Sequence, residues 1–212
     1  ERRRELERQN ERLDGFASAI SHDLRTPLTV AASYLALARE DCDSEHLQKV
    51  ERAHERIRAL VEDVLTLARE GKEVTATERI DLDAMFQATF DDMETGAATC
   101  SVDSGLEILA DVRRLQRVFE NLIGNAINHG GDGVHIQLGR GDGGFFVEDD
   151  GSGIAEEMRR EVFEMGVSTS RSGTGFGLSI VHEIVQAHKW SIRVVESDGG
   201  GARFEITGVE QA

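Results

Sequence analysis

The sequence is short of lysine, and its acidic residues far outnumber its basic ones. Only three of its 24 basic residues are lysines, against 40 acidic residues, and the net charge is -16. A chain of this charge repels phosphate backbones and anionic lipid, which argues against nucleic acid and against direct membrane contact. A nucleotide ligand is not excluded, because a local pocket can still be cationic.

Cysteine, paired histidine and long apolar runs are also lacking. Cys42 and Cys100 form neither a disulfide framework nor a Cys-x-x-Cys site, which fits a reducing cytoplasm. The seven histidines form no His-Glu-x-x-His pair, so zinc is not predicted. No apolar run approaches the roughly 18 residues that span a bilayer, and no signal-peptide pattern opens the chain. We therefore expect a soluble protein or a soluble piece. The start at Glu1, inside a charged helical pattern and without Met, suggests a fragment of a longer protein, and membrane tethering of that full-length protein stays open.

The excess of carboxylates has two interpretations. Dense surface carboxylates help to keep a protein hydrated in a high-salt cytoplasm, such as that of a halophilic archaeon. The alternative is ordinary acidic drift, and composition leaves both open.

One histidine stands on the polar face of a predicted first helix. Apolar positions across residues 13–35 recur at steps of three and four and form one buried stripe. At about 100° per residue, His22 points roughly 160° away from the centre of that stripe. Thr26 lies one turn further along nearly the same face, and Asp23 adjoins His22. The single proline, Pro27, should kink this helix, because it lacks an N–H donor and crowds the preceding turn.

A second amphipathic helix is predicted over Glu45–Glu70. His54 lies inside its apolar stripe, so we expect a packed or interface residue there. We interpret residues 1–14 as the end of a coiled-coil linker, 15–70 as a helical hairpin and 71–78 as a further linker. Because one hairpin cannot cover both apolar stripes, two copies should form a four-helix bundle, which is a homodimer.

Residues 21–28 read Ser-His-Asp-Leu-Arg-Thr-Pro-Leu. This segment resembles the phosphoacceptor box of sensor histidine kinases of two-component systems. The resemblance implies that His22 is phosphorylated and that residues 15–70 form the dimerisation and histidine phosphotransfer domain. Asp23 would orient the His22 ring and accept its proton. Asp23 and Thr26 also resemble a phosphatase motif, although a structural role for Thr26 beside proline is equally open.

Residues 79–212 alternate short strands with helices, which predicts an α+β domain with one mixed sheet covered by helices. The predicted helices are 82–94, 112–129, 155–163 and 176–188. The predicted strands are 99–102, 107–109, 134–138, 145–148, 191–196 and 203–207, and the last two form a hairpin around residues 199–201.

Two patches of this domain carry polar side chains suited to a nucleotide. Asn121, Asn125 and Asn128 are spaced four and three apart, so their amides line one helical face and could ligate a metal or bind phosphate. Asp149 begins Asp-Asp-Gly-Ser-Gly-Ile at a strand end, where its carboxylate can accept from an exocyclic amine such as that of adenine. Alone, the first also fits a plain polar face and the second a simple Asp-Gly turn.

A third patch, Gly-Thr-Gly-Phe-Gly-Leu at residues 173–178, opens a helix. Glycines before a helix N-terminus make a phosphate cradle from backbone N–H groups and the helix dipole. The pattern is neither the dinucleotide fingerprint nor the Walker loop, since it lacks the Gly-Lys-Ser/Thr ending. Alone it is a weak motif.

In this order, the three patches resemble the N box and two glycine boxes of the histidine kinase ATP-binding domain, a fold shared with gyrase, Hsp90 and MutL ATPases. The resemblance implies that Asn125 ligates Mg²⁺, Asn121 supports the phosphates, Asp149 binds adenine and residues 163–172 form a mobile lid. The remaining pocket residues would be Gly151, Gly153, Gly173, Thr174, Gly175, Gly177 and Leu178.

The end of the N box departs from the family pattern. Where the family often has lysine and an aromatic residue, this chain has Asn128 and His129 in the predicted nucleotide pocket. A phosphate-contacting cation is therefore missing, and Arg171 in the lid is our candidate substitute. A solvated loop arginine is an equally good interpretation of Arg171.

By this resemblance the chain is the catalytic core of a sensor histidine kinase, with ATP and Mg²⁺ as cofactors. It would phosphorylate His22 and pass the phosphoryl group to an aspartate on a response regulator receiver domain, under an upstream sensor domain. Two other classes stay open. One is a silent dimeric signalling adaptor that binds nucleotide only to switch conformation, and the other is an ATPase of the same superfamily acting in DNA repair or folding.

Overall fold

The chain divides into two units, Glu1–Glu70 and Gly71–Ala212. The structure, a computed structural model, describes residues 27–38, 45–70, 74, 76–164 and 175–212. Within these ranges no helix is both long enough and apolar enough to cross a bilayer.

The first unit contains the described helices α1, over 27–38, and α2, Glu45–Glu70, whose bounds match the sequence prediction. His54 on α2 is half-buried, and its Nε2 has no hydrogen-bond partner among the described residues. Large apolar side chains on both helices are at least half exposed: Val30, Tyr34, Leu37, Val50 and Ile57. A single chain therefore leaves an apolar surface uncovered on this hairpin. The predicted kink N-terminal to Pro27 falls outside the described residues.

The second unit contains two sheets, a larger mixed sheet and a smaller antiparallel one. Its strands, in chain order, are β1 (Glu78–Asp81), β2 (Thr99–Asp103), β3 (Glu107–Ala110), β4 (His135–Gly141), β5 (Gly144–Asp149), β6 (Ser191–Glu196) and β7 (Ala202–Thr207). The larger sheet has the order β2-β4-β5-β7-β6, in which β2 and β4 are parallel and the other neighbours antiparallel. β1 and β3 form a separate antiparallel pair. The larger sheet is the mixed sheet that the sequence predicts.

Three helices belong to the second unit: α3 (Leu82–Asp91), α4 (Val112–Gly130) and α5 (Gly177–Ala187). The N-cap residue is an aspartate in both α3 and α4. The Asp81 carboxylate accepts from Ala84 N, and the Asp111 carboxylate accepts from Arg113 N and Arg114 N. These caps satisfy N–H groups that have no partner inside a helix, which fixes where α3 and α4 start.

Aromatic rings join the helices to the sheet. Phe86 of α3 meets Phe119 of α4 edge to face with ring centroids 5.1 Å apart, and Phe119 meets Phe145 of β5 at 6.0 Å. Phe145 in turn meets Trp190, just before β6, at 6.4 Å. The three phenylalanines are fully buried. Edge-to-face contacts of this kind add to the burial energy and hold α4 in a fixed position over β5.

The structure differs from the sequence prediction at four places, one of which is β4, which ends at Gly141 rather than at Leu138. β1 is not predicted, because its four residues bury only Ile80 and give no alternating pattern. The helix predicted at 155–163 is wrong: two 3₁₀ turns, Glu156–Met158 and Glu161–Phe163, stand there, with no side-chain caps and only Val162 buried. α3 ends at Asp91 rather than at Glu94, and Asp92 is its C-cap, with its N–H donating back to Ala88 O.

His188 links the end of α5 to the start of α4. Its ring stacks on Trp190 with centroids 4.4 Å apart, its Nδ1 lies 2.8 Å from Ile184 O, and its Nε2 accepts from Asp111 N at 3.1 Å. Because a backbone N–H can only donate, Nε2 must carry no proton, so the arrangement requires a neutral imidazole. Burial accordingly lowers the pKa of His188 below its usual value of 6.5.

We expect His188→Gln to make folding stability less dependent on pH. A lowered folded-state pKa means that the unfolded chain binds the proton more tightly, so this stabilisation is present above 6.5 and is lost as pH falls through the folded pKa. Urea unfolding followed by circular dichroism should show a cost of about 1 kcal/mol for the variant at pH 7.5, shrinking toward pH 5.0. An equal cost at both pH values would contradict the assignment of His188 as a neutral imidazole in the folded chain.

Candidate functional site

Three asparagines follow one face of α4. Asn121 Nδ2 donates to Arg117 O at 2.8 Å, and Asn128 Nδ2 donates to Gly124 O at 2.7 Å. With each amide nitrogen held by its own helix, the amide oxygen remains an acceptor or ligand for a group beyond the helix. Asn125, between them, has a buried Nδ2 without a hydrogen-bond partner in the described ranges. A buried amide in this condition points to a ligand-binding role.

The start of α5 packs directly against these asparagines. A Cβ on Gly177, the first residue of α5, would lie 2.8 Å from Asn121 Oδ1 and 3.9 Å from Asn125 Oδ1. Phe176 before it provides no side-chain cap. The positive end of the helix dipole therefore adjoins two amide groups, an arrangement suited to phosphate. Glycine at this position is what lets the two helices come so close.

Asp149 lies at the end of β5 with one carboxylate oxygen held by backbone. Its Oδ1 accepts from Gly151 N at 2.9 Å and from Ala202 N at 3.3 Å. In the described part of the chain, Oδ2 is left as the oxygen that can accept from a ligand. Burial raises the pKa of Asp149, while the two backbone donors and the charge of His129 oppose this rise. The carboxylate is thus held in one orientation by neutral donors.

Glycines allow backbone to approach Asp149 closely. A Cβ on Gly201 would lie 2.2 Å from Asp149 O, and one on Gly151 would lie 2.3 Å from Gly130 Cα. Gly153 has a φ of 68°, and a Cβ there would lie 2.8 Å from a carbonyl oxygen in the turn between β6 and β7. Any larger residue would push apart the end of β5, the end of α4 and this turn.

The remaining predicted pocket residues divide into two groups. Asn128 and His129 are exposed near the end of α4, where the His129 carbonyl accepts from Ser152 Oγ at 2.9 Å. Gly175, with a φ of 78°, precedes α5, and Leu178 is its second residue. The sequence-predicted residues that lie outside the described ranges are His22, Asp23, Thr26, Arg171, Gly173 and Thr174.

Sequence reasoning missed the contribution of the turn between β6 and β7. Residues 199–201 are predicted only as a hairpin, yet Gly201 and Ala202 contact Asp149, as does the hydroxyl of Ser197. The contacts use main-chain atoms and one small hydroxyl. The pattern of glycines after Ser197 was the available signal, but it is equally typical of a plain turn.

Two family descriptions match the chain in succession. Residues 12–73 match "His Kinase A (phospho-acceptor) domain", and residues 110–210 match "Histidine kinase-, DNA gyrase B-, and HSP90-like ATPase". The first segment contains His22, and the second contains Asn121, Asn125 and Asp149 together with α5. The family matches therefore cover both parts of the predicted site.

Individual relatives agree with the two domain matches. The alginate biosynthesis sensor protein KinB of Pseudomonas aeruginosa is 33% identical over 89% of this chain and 36% of its own length. The methanogenesis regulatory histidine kinase FilI of Methanothrix harundinacea (strain 6Ac) is 29% identical over 95% of this chain and 25% of its length. A crystal structure of full-length ShkA in complex with AMPPNP is 28% identical, with a TM-score of 0.72 over 93% of this chain and 46% of that one.

With both domains present in this order, the chain belongs to the histidine kinases. It spans between about a quarter and a third of the two curated relatives described above.

We expect Gly177→Ala to weaken nucleotide binding while the domain stays folded. The added Cβ would displace the Asn121 amide, which is the mobile end of a side chain, and break its bond to Arg117 O. The Kd for ATP, measured by isothermal titration calorimetry, should rise about tenfold.

Gly124→Ala is the matched control on α4. Its Cβ would lie 3.7 Å from Met93 Cε, an ordinary contact, and alanine is favoured over glycine inside a helix. This variant should be no less stable than the wild type and should bind ATP as tightly. Equal affinity in Gly177→Ala and Gly124→Ala would show that the approach of α5 to Asn121 does not matter for binding.

Proposed function

We propose that this chain is the catalytic core of a sensor histidine kinase, which phosphorylates His22 with ATP and passes the phosphoryl group to an aspartate of a response regulator receiver domain. The observation that carries the proposal is the asparagine face of α4 against the start of α5, with Asp149 at the end of β5. The phosphoacceptor match over residues 12–73 supports the identity of the acceptor.

ATP binding follows from the polar groups of the second unit. Asp149 Oδ2 accepts from the exocyclic amine of adenine, since Oδ1 is already occupied by two backbone donors. Asn121 and the N-terminus of α5 bind the phosphates through an amide and the helix dipole. Gly173, Thr174 and Gly175, which precede α5, extend this phosphate cradle.

Mg²⁺ fits the same face of α4. Asn125 presents a buried amide, and an amide oxygen is a ligand that Mg²⁺ accepts. The ion, when bound with the phosphates, supplies positive charge that stabilises charge developing during phosphoryl transfer. Asn128 and His129 stand where the family often has a cation and an aromatic residue, and we propose Arg171 as the cation that replaces it.

The reaction itself needs positioning more than covalent activation. The neutral ring nitrogen of His22 forms a bond to the γ-phosphorus while the bond from that phosphorus to the bridging oxygen breaks, and ADP leaves. Asp23 orients the imidazole and accepts its proton. Thr26, with Asp23, is proposed to position water for dephosphorylation of the regulator.

A homodimer follows from the apolar surface of the first unit. Five large apolar side chains on α1 and α2 are at least half exposed in a single chain. A second copy that covers them would complete a four-helix bundle, the fold class of this part of the family. We further propose a cytoplasmic location and an upstream sensor domain in the full-length protein, on the basis of the family resemblance.

Incubation of the chain with γ-labelled ATP should give an acid-labile, alkali-stable label on His22. His22→Gln should abolish the label while leaving the Kd for ATP unchanged, because the acceptor is not part of the nucleotide pocket. Asp23→Asn should slow labelling by about 10²-fold through loss of the proton acceptor. Thr26→Ala should keep autophosphorylation but lose dephosphorylation of the regulator.

Other outcomes of this experiment favour other functions. Tight ATP binding without label would favour the signalling adaptor. Released phosphate without protein-bound label would favour a superfamily ATPase. Either result in the wild type would contradict the kinase assignment.

We also propose that the acidic surface adapts the protein to high salt. The net charge of -16 produces repulsion within the folded chain, and molar salt screens this repulsion. The free energy of unfolding, measured by urea titration, should therefore rise between 0.2 M and 2 M KCl. A chain that is equally stable at both concentrations is an ordinary acidic protein.

A further inference from the structure

Ser197 lies directly behind Asp149, at the end of β6. Its side chain is buried, with 6% of the residue exposed. The Ser197 hydroxyl donates to Asp149 O at 2.6 Å and accepts from Gly201 N at 2.9 Å. One small hydroxyl therefore joins the end of β5 to the turn between β6 and β7.

The Ser197 hydroxyl contacts Asp149 just beyond the end of the pairing between β5 and β7. The pairing of β5 with β7 ends at Glu148 and Arg203, so Asp149 lies one residue beyond the ladder on that side. There the Ser197 hydroxyl takes the place of a β7 partner for the Asp149 carbonyl. Without it, the main chain of Asp149 would be fixed on the β4 side alone, where Asp149 pairs with Ile136.

The same turn also holds the Asp149 carboxylate. Ser197 N donates to Gly201 O at 3.0 Å, Gly200 N donates to Ser197 O at 3.0 Å, and the next residue, Ala202, donates its N–H to Asp149 Oδ1 at 3.3 Å. Ser197 thus anchors the turn whose following N–H sets the direction of the carboxylate. Ser197 and the turn that it anchors therefore hold both the main-chain carbonyl and the carboxylate of Asp149.

We infer that Ser197 is a positioning residue for base recognition: by fixing Asp149 it keeps Oδ2 in place for an exocyclic amine and gives the site its preference for adenine. The inference rests on the proposed function, since it requires ATP as the ligand. Ser197→Ala would leave Asp149 O, which is half-buried, and Gly201 N, which is buried, without their shared hydroxyl partner, and both would move toward other donors or acceptors.

The test compares two nucleotides that differ only at the recognised group. The Kd of the full 212-residue chain is measured for ATP and for purine riboside triphosphate, which lacks the 6-amino group. The wild type should prefer ATP about tenfold, the effect of one hydrogen bond to a charged group. Ser197→Ala should reduce this preference to about twofold, mostly by weakening ATP. In an Asp149→Asn background, Ser197→Ala should change the preference no further.

Ser104→Ala is the matched control. Ser104 is another buried serine, 3% exposed, whose hydroxyl binds the Asp83 carboxylate at 2.5 Å in the turn between β2 and β3. Its loss should lower stability without altering the preference for ATP. If Ser197→Ala weakens the binding of both nucleotides equally, or of neither, the inference is overturned. ATP binding by the wild type, and with it the proposed function, would still stand. A wild type that binds no ATP would overturn the proposed function, and this inference with it.

Discussion

The close approach of α5 to α4 is the constraint on which the proposed nucleotide site depends. Edge-to-face aromatic contacts hold α4 over the sheet, and Gly177 lets the start of α5 reach the Asn121 amide. Two features that are each weak alone, a row of asparagines and a helix N-terminus, form our proposed phosphate site because this packing joins them. The site is therefore a product of core packing as much as of its polar residues.

Neutral donors, rather than side-chain cations, surround the described part of the proposed site. Asp149 is oriented by two backbone N–H groups, and the phosphates would meet amides and a helix dipole. A chain with so few lysines and a large negative charge gains from this arrangement, because backbone donors attract an anion without needing a side-chain cation. The substitution of Asn128 for a family lysine is consistent with such a site.

How far the sequence predicts this molecule depends on how local each signal is. α2 is predicted with the right bounds because its apolar period is sustained, whereas β1 buries one residue and leaves no period to detect. The sequence predicts Asn121, Asn125 and Asp149 as site residues because their side-chain types and spacing suit a nucleotide. Ser197 is missed because its partner, the Asp149 carbonyl, lies 48 residues away and is main chain. Glycine contacts such as that of Gly201 become visible only when the fold places two backbones together.

The hydrogen bonds around Asp149 also bear on the proposed adaptation to high salt. Contacts between exposed charges weaken as ions screen them, while hydrogen bonds to buried backbone groups are screened much less. The hydrogen bonds that hold Asp149 are partly shielded from solvent, and Ser197, which supports Asp149, is buried. The proposed adenine site should therefore keep its geometry at ionic strengths that would weaken a contact from an exposed arginine. The preference for the adenine amine should therefore depend weakly on salt, whereas the affinity for the phosphates should depend strongly on it.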